Sequence, residues 1–332
     1  MSNDNPYNDD SIYNDVHIPY EPLLRPTCAA LDAILGRTRG VLHDGFVRVV
    51  DYLGTDASVV QAARVSYGAG TKTPSDDEQL IRFMLRHGHM TPFEQCEIKL
   101  HVRLPMDVMR QVVRHRTAHV NEYSTRYSEA IDSQHCVDVD EWRLQSSTNR
   151  QGSGESLGDW ESTGRKKEYG LAAVFETPGE YLSNRQGSSF DYAKEVYEEA
   201  LSFGVAREQA RAVLPLSTYT EIYWKCDLRN LLGFLRLRLA PDAQFEIRQY
   251  AITIAEIVEQ WVPTTMAAFR DYQLNSLTLS AQEIEAIRSL LATGPQPNFD
   301  AHPDGLSKRE AVEYREKLRK LGARLSSKGG ES

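Results

Sequence analysis

The stretch CEIKLHVRL, Cys96–Leu104, alternates without a break: Cys96, Ile98, Leu100, Val102 and Leu104 fall on one side, Glu97, Lys99, His101 and Arg103 on the other. Successive side chains of a strand point to opposite faces, so this run predicts a strand with one apolar and one charged face. A sheet built of such strands is antiparallel and covered on a single face. Two further runs suit the same sheet: FVRVVDYL, which follows Gly45, and the alternating Ser217–Cys226. The fold class they imply is α+β, an antiparallel sheet packed by helices, with a helical bundle contributing to assembly.

The helices are read from spacing and caps. Ala57–Ser66 suits a short helix after Asp56. Ser75 with Glu78 makes a capping box, opening a helix that presents Leu80, Ile81, Met84 and Leu85 on one face and ends at Gly88. Thr91, Pro92 and Glu94 fit the N-cap, first turn and third position of another short helix. After a Gly/Ser/Asn/Gln-rich loop over residues 140–189, helical pattern resumes near Tyr192 and runs through YAKEVYEEALSFG. Then come REQARAVLP, stopped at Pro215, and DLRNLLGFLRLRL, capped by Asp227. A long amphipathic helix from about Ala243 to Tyr272 is interrupted near Pro263. Residues 1–44, with a short helix near Cys28–Leu35, read as an N-terminal extension, partly disordered or draped over a partner subunit. The domain proper spans 45–275, and 276–332 is a C-terminal extension holding one helix, Ser280–Leu291, and a charged tail.

Composition excludes several classes. A net charge of -9 argues against a general nucleic-acid surface, so any anion site must be a local basic pocket in an acidic chain. No apolar run approaches membrane-spanning length, and MSNDNPYNDD lacks the pattern of a signal peptide. Cys28, Cys96, Cys136 and Cys226 stand far apart with no C-x-x-C, against both a zinc site and a disulfide framework. A reducing cytoplasm is the expected location. SSTNRQGSGES lacks the Gly-Lys-Ser/Thr ending of a P-loop, and no G-x-G-x-x-G follows a strand. His87-x-His89 has a metal-like spacing without an evident third ligand.

Directly after the strand, Pro105 suits a first helical position, Asp107 favours the positive helix end, and Met106, Met109, Val112 and Val113 repeat at helical spacing. The helix leads into RQVVRHRTAHVNEYSTRYS, Arg110–Ser128, which carries Arg110, Arg114, Arg116 and Arg126 among hydroxyls and amides. Arg110 and Arg114 would share a face, and a polar loop would begin past Val120. So many guanidinium forks beside polar groups point to a planar or anionic ligand; the alternative is a solvated face at a helix C-terminus. Arg211 and the Arg229, Arg236 and Arg238 set add cations further along.

These segments resemble one family, the flavin-dependent thymidylate synthases. Its signature is Arg-His-Arg, seven residues, then Ser, and Arg114-His115-Arg116 is followed at that distance by Ser124 and then by Arg126-Tyr127. Gln111, Asn121-Glu122, HGHMTPFE (residues 87–94), AREQARAVLPL and FLRLRLAPDAQFEIRQYA match as well, so the resemblance covers roughly residues 45–272. It implies an enzyme making dTMP from dUMP, with methylenetetrahydrofolate as carbon donor and FAD, reduced by NADPH, as hydride donor. It implies a homotetramer with shared active sites, and neither nucleic acid nor membrane as partner.

By motif match, His89, Thr91, Arg114, His115, Arg116, Glu122, Asp227 and Arg229 would contact FAD. Gln111, Arg114, Glu122, Tyr123, Ser124, Thr125, Arg126, Arg211 and Arg238 would hold dUMP. Arg238 and Ser124 carry the catalytic expectation: Arg238 favours loss of the uracil N3 proton, and Ser124 orients the ring without attacking it. None of the four cysteines is followed by His, as a cysteine-based synthase would require. Asp227 stands where many relatives have Asn, and Gly233 where a side chain often touches FAD. A non-catalytic flavin- or nucleotide-binding protein is the rival that Gly233 leaves open.

Overall fold

The computed structural model describes residues 24–65, 77–147, 152–163, 174–292 and 308–321. In chain order the elements are α1 (Ala29–Asp32), β1 (Arg39–Val41), β2 (Gly45–Leu53), α2 (Asp56–Arg64), α3 (Asp77–His87), β3 (Glu97–Pro105), α4 (Met106–Val112), β4 (His119–Glu122), β5 (Arg143–Gln145) and β6 (Ser153–Ser156). There follow α5 (Pro178–Ser202), α6 (Arg207–Ala210), β7 (Tyr219–Asp227), α7 (Leu228–Arg238), α8 (Phe245–Trp261), α9 (Pro263–Phe269), α10 (Ala281–Ala292) and α11 (Lys308–Lys320).

The fold class is α+β. A five-stranded antiparallel sheet has the order β1-β2-β3-β7-β4, so the strand singled out by its alternation lies at the centre. Register carries the alternation across the sheet: Val47 faces Val102, Val49 faces Leu100, Leu100 faces Trp224 and Val102 faces Ile222. These residues form the buried face. Against it pack α4 and α7, with α8 reaching β1 and β2. The other face is polar but not uniformly wet. His101 is 8% exposed, bonded to Glu221 at 2.7 Å, receiving Arg48 Nε at 2.9 Å and stacked on Tyr223.

Several boundaries differ from the sequence expectation. Pro105 is the N-cap of α4 and the helix starts at Met106; it ends at Val112, so Arg114 lies beyond it instead of sharing a face with Arg110. Residues 119–122 are a fully exposed edge strand, not loop, because β7 supplies the hydrogen bonds that the polar sequence does not advertise. Thr91 is the first residue of a 3-10 turn whose N-cap is Met90. The Ser75 half of the expected capping box lies outside the described residues.

Helix α5 begins at Pro178, some four turns before Tyr192, with the Thr177 side chain accepting from Glu180 N at 3.1 Å. Thr-Pro-x-Glu is a helix-start signal that the Gly/Ser-rich context obscured. Part of that same stretch is a hairpin of β5 and β6. Asp56, the residue before the expected α2 helix, also closes a distant one: its carboxylate accepts from Thr264 N and Thr265 N at the start of α9.

The chain divides into two compact units at Met266/Ala267. In the second, the expected charged tail is partly a helix, α11, whose Ala311, Tyr314 and Leu318 pack with Ala286 and Ile287, while Lys317 pairs with Glu283 at 2.6 Å. Among the described residues no helix is long and apolar enough to cross a membrane.

Candidate active site

The strand β7 passes into α7 without a loop, and Asp227 makes the junction. It is the last strand residue and the helix N-cap, accepting from Asn230 N at 3.0 Å and from Asn230 Nδ2 at 2.6 Å. Its acidity therefore has a local use as a cap. The helix it starts sets two cations a helix-length apart. Arg229, at the first turn, is exposed and paired with Glu94. Arg238, in the last turn, is half-buried, with Nη2 donating to the Gln111 carbonyl at 3.1 Å and Nε buried without a partner. Burial pushes the Arg238 guanidinium below its usual value, though it stays a cation.

His115 leans on the middle of this helix and on β7, edge-on to Phe234 at 5.7 Å and to Trp224 at 6.4 Å between ring centroids. Burial lowers its imidazole from the ordinary value; Arg238 adds to that, while the Asn230 backbone and Asp227 oppose it. Arg110, Arg114 and Arg116, in contrast, are all exposed. None of the three has an ion-pair or side-chain hydrogen-bond partner among the described residues. Like charges left free beside one another are costly unless an anion answers them.

A second group gathers behind β4. Edge-strand register puts Glu122 opposite Ile222, on the helix-covered face, where its carboxylate accepts from Thr220 Oγ1 at 2.9 Å. Tyr123 N donates to Glu221 O at 2.8 Å and Tyr123 Oη to Glu129 O at 2.9 Å. Thr125 is buried and receives Arg211 Nη1 at 2.7 Å. Arg126 pairs with Glu208 at 3.3 Å. Ser124 Oγ accepts from Arg126 N at 3.4 Å. Among the described residues no carboxylate or imidazole is bonded to that hydroxyl, so none of them is placed as its general base.

The third group lines a cleft of about 900 Å³ between α2, α3 and the 3-10 turn at Thr91. His89 and Thr91 are both exposed there, beside apolar Leu53, Phe83 and Met84. Gly88, at φ +73°, ends α3 and turns the chain so that His89 N reaches Met84 O at 2.9 Å. His87 and His89 flank the Phe83 ring, and among the described residues they are joined by no third metal-ligand type.

The structure thus unites Gln111 with Arg238, Arg229 with Glu94, Thr125 with Arg211 and Ser124 with Arg126, and sets His115 within electrostatic reach of Asp227. Among the described residues no hydrogen bond or ion pair joins the Ser124 group to the His115 group. Two contacting residues carried no expected role: Gln244 accepts from Gln111 Nε2, and Glu94 pairs with Arg229. Both lie inside motifs already quoted, and long-range pairing is what the linear sequence does not display.

Two of the four cysteines are set aside by burial. Cys96 is fully buried with its thiol pushed up to about 12 by desolvation, and burial raises Cys226 further. Neither is a nucleophile at neutral pH.

With this geometry in view, the chain matches the family described as "Thymidylate synthase complementing protein" over residues 48–264, more than half its length. The chain belongs to that family. Relatives named "Flavin-dependent thymidylate synthase" include one from Ehrlichia ruminantium (strain Gardel), 46% identical over 280 residues, spanning 84% of this chain and 88% of its own. Another, from Gluconobacter oxydans (strain 621H), is 47% identical over 297 residues, spanning 87% and 91%. Among solved structures, a UMP/dUMP methylase, PolB from Streptomyces cacaoi bound with 5-Br dUMP, superposes with a TM-score of 0.59 at 28% identity, covering 71% of this chain and 99% of that one. Gly233 lies inside α7, and a Cβ built there meets nothing within 4 Å.

Proposed function

We propose that this chain is a methyltransferase that converts dUMP to dTMP, taking the carbon from methylenetetrahydrofolate and using FAD reduced by NADPH. The observation that carries the reading is the conjunction at Arg114–Arg116: a family signature whose guanidinium groups are exposed and unpaired in an acidic chain. The donor set suits FAD. Free arginines match a pyrophosphate in the absence of a glycine-rich loop, and the apolar-walled cleft bearing His89 and Thr91 suits a planar ring system. Arg114, His115, Arg116, His89, Thr91, Glu122, Asp227 and Arg229 would hold the cofactor. The reduced flavin would supply the hydride.

The chain's own residues bind, orient and polarise. Arg211 and Arg126 offer cations to the nucleotide phosphate, and Thr125 with Tyr123 fixes the backbone between them. Ligand binding there competes with Glu208, an exposed pair that costs little to break. Arg238, buried along its stem and held by the Gln111 carbonyl, stands as a fixed cation for the uracil edge. It stabilises the base as its N3 proton leaves, moving electron density toward C5, where the new carbon attaches. Ser124, without a base, orients the ring. On this reading the protein is a homotetramer with shared active sites, as the family resemblance implies.

The test is the visible spectrum of the protein with FAD, before and after dUMP, followed by assay for dTMP. A flavin spectrum perturbed by dUMP and turnover dependent on methylenetetrahydrofolate are expected. Flavin binding with no response to dUMP refutes the reading.

A further inference from the structure

Gln111 is held at its side chain as well as at its backbone carbonyl. Its Nε2 donates to Gln244 Oε1, and Gln244 Nε2 in turn donates to Glu246 Oε2 at 2.7 Å. Gln244 is the exposed N-cap residue of α8, whereas Glu246, in the first turn of that helix, is only 9% exposed. A carboxylate near a helix N-terminus is favourably placed for its charge. Positive charge lies on its far side as well: Arg143 Nη2 is 4.0 Å from Glu246 Oε1, with the guanidinium seated 4.5 Å over the Phe245 ring.

The chemistry of these three groups gives the chain of bonds a direction. A side-chain amide can exchange its oxygen and nitrogen ends by a half-turn at little cost when its partners accept either. An ionised carboxylate only accepts. Glu246 therefore turns the NH2 of Gln244 toward itself, which leaves the Gln244 carbonyl facing Gln111. That carbonyl in turn selects the NH2 of Gln111. The free Gln111 functions, its Oε1 and its second N–H, are then presented in one fixed arrangement. The same residue's backbone carbonyl receives Arg238 Nη2 at 3.1 Å, so one residue links this relay to the cation assigned to the uracil.

We propose that Gln244 and Glu246 are positioning residues for the nucleotide site: the buried carboxylate sets the polarity of the Gln244 amide, which sets that of Gln111. The proposal rests on the reading of Gln111 and Arg238 as dUMP-binding. Capping of α8 does not account for this arrangement, because the Gln244 side chain bonds to Glu246 and Gln111 and makes no cap hydrogen bond.

The experiment is calorimetric titration of the flavin-loaded protein with dUMP, in wild type, Gln244→Met, Glu246→Gln, and the exchange variant that combines Gln244→Glu with Glu246→Gln. Gln244→Met removes the acceptor for Gln111 and is expected to weaken dUMP about tenfold, the value of one lost hydrogen bond. Glu246→Gln frees the amide to turn and is expected to weaken dUMP about three- to tenfold. In the exchange variant a carboxylate at 244 accepts from Gln111 and from the amide now at 246. Gln111 then regains its orientation, and affinity is expected to return to within about threefold of wild type.

Flavin affinity stays as in wild type for Gln244→Met, and the melting temperature falls modestly, since the substitution also removes a donor to the buried Glu246 carboxylate. Wild-type dUMP affinity in Gln244→Met overturns the proposal, as does an exchange variant no better than Glu246→Gln. A wild-type protein that takes up flavin but no dUMP removes the functional reading together with this one. Unaffected variants beside a dUMP-binding wild type remove the positioning role alone.

Discussion

Replacing Arg238 by Met separates chemistry from folding at one position. The substitution keeps an unbranched apolar stem and deletes the guanidinium. On the stability side two effects oppose each other. The Nη2 bond to the Gln111 carbonyl at 3.1 Å is lost, worth about 1 kcal/mol, and so is the burden of a buried Nε with no partner, worth about 1–3 kcal/mol. The net change is expected within about 1–2 kcal/mol of zero, and the variant should fold and bind flavin. Catalysis has no such offset. Losing one preorganised charge-stabilising donor costs about 2.7–4 kcal/mol in the transition state, or roughly 10²–10³ in kcat. Thermal denaturation, flavin absorbance and initial rates of dTMP formation on one preparation read the three quantities. A folded, flavin-loaded Arg238→Met enzyme with kcat within about threefold of wild type would refute the role of this cation.

Gly233→Ala should stabilise the protein by about 0.5–1 kcal/mol, since the residue is inside α7 and a Cβ meets nothing within 4 Å; denaturant unfolding checks this, and a loss of stability counts against the open space. Gly45→Ala should do the reverse, by more than about 3 kcal/mol, because its Cβ would lie 2.0 Å from Tyr250 Oη and 2.6 Å from the Val41 carbonyl; poor soluble yield or a sharply lowered melting temperature is the expected result. Part of the pH dependence follows from His135, which is 5% exposed and, like His115, lowered by burial from its ordinary 6.5. Unfolding lets it take up a proton, so its contribution is fully present above about pH 6.5 and stability declines as pH falls through that value. Asp107, raised by burial, acts in the opposite sense but lower, in the carboxylate range. Unfolding free energies at pH 7.5 and 5.5 should differ less in His135→Asn than in wild type, and an equal drop in both rules out this histidine as the cause.

The centre of the fold was legible because both faces of β3 are decided within its own nine residues. Helix α7 was equally plain, since Asp227 and the leucines behind it announce cap and core in one run. What was missed lies where the deciding partner is distant. β4 has four exposed residues and no apolar pattern; it is a strand because β7 offers it an edge. The first turns of α5 carry Gly and Ser, and local propensity spoke against a helix that the Thr177 cap and burial of Phe190 support. Burial of His101 on the charged face was hidden as well. It depends on Phe46, Tyr223 and Glu221 arriving from two other strands.

The same division runs through the candidate site. Motif spacing located the arginines, yet composition treats Arg114 and Arg229 alike, whereas the fold leaves the first unpaired and gives the second a carboxylate. That difference bears on how binding is driven. An anion reaching Arg114 and Arg116 displaces only water, so its attraction is undiminished by an internal competitor. One reaching Arg126 or Arg229 must replace Glu208 or Glu94, but both pairs are partly exposed, and such pairs contribute only about 0–1 kcal/mol. Affinity should therefore be set mainly at Arg114–Arg116. Charge removal at Arg126 should be felt as lost positioning of the nucleotide, with a smaller effect on retention of the cofactor. Arg114→Ala weakening flavin and dUMP together, with Arg126→Ala weakening dUMP alone, is the pattern this argument requires, and titration of both ligands against both variants tests it. Loss of flavin in Arg126→Ala would place that guanidinium in the cofactor site and undo the division.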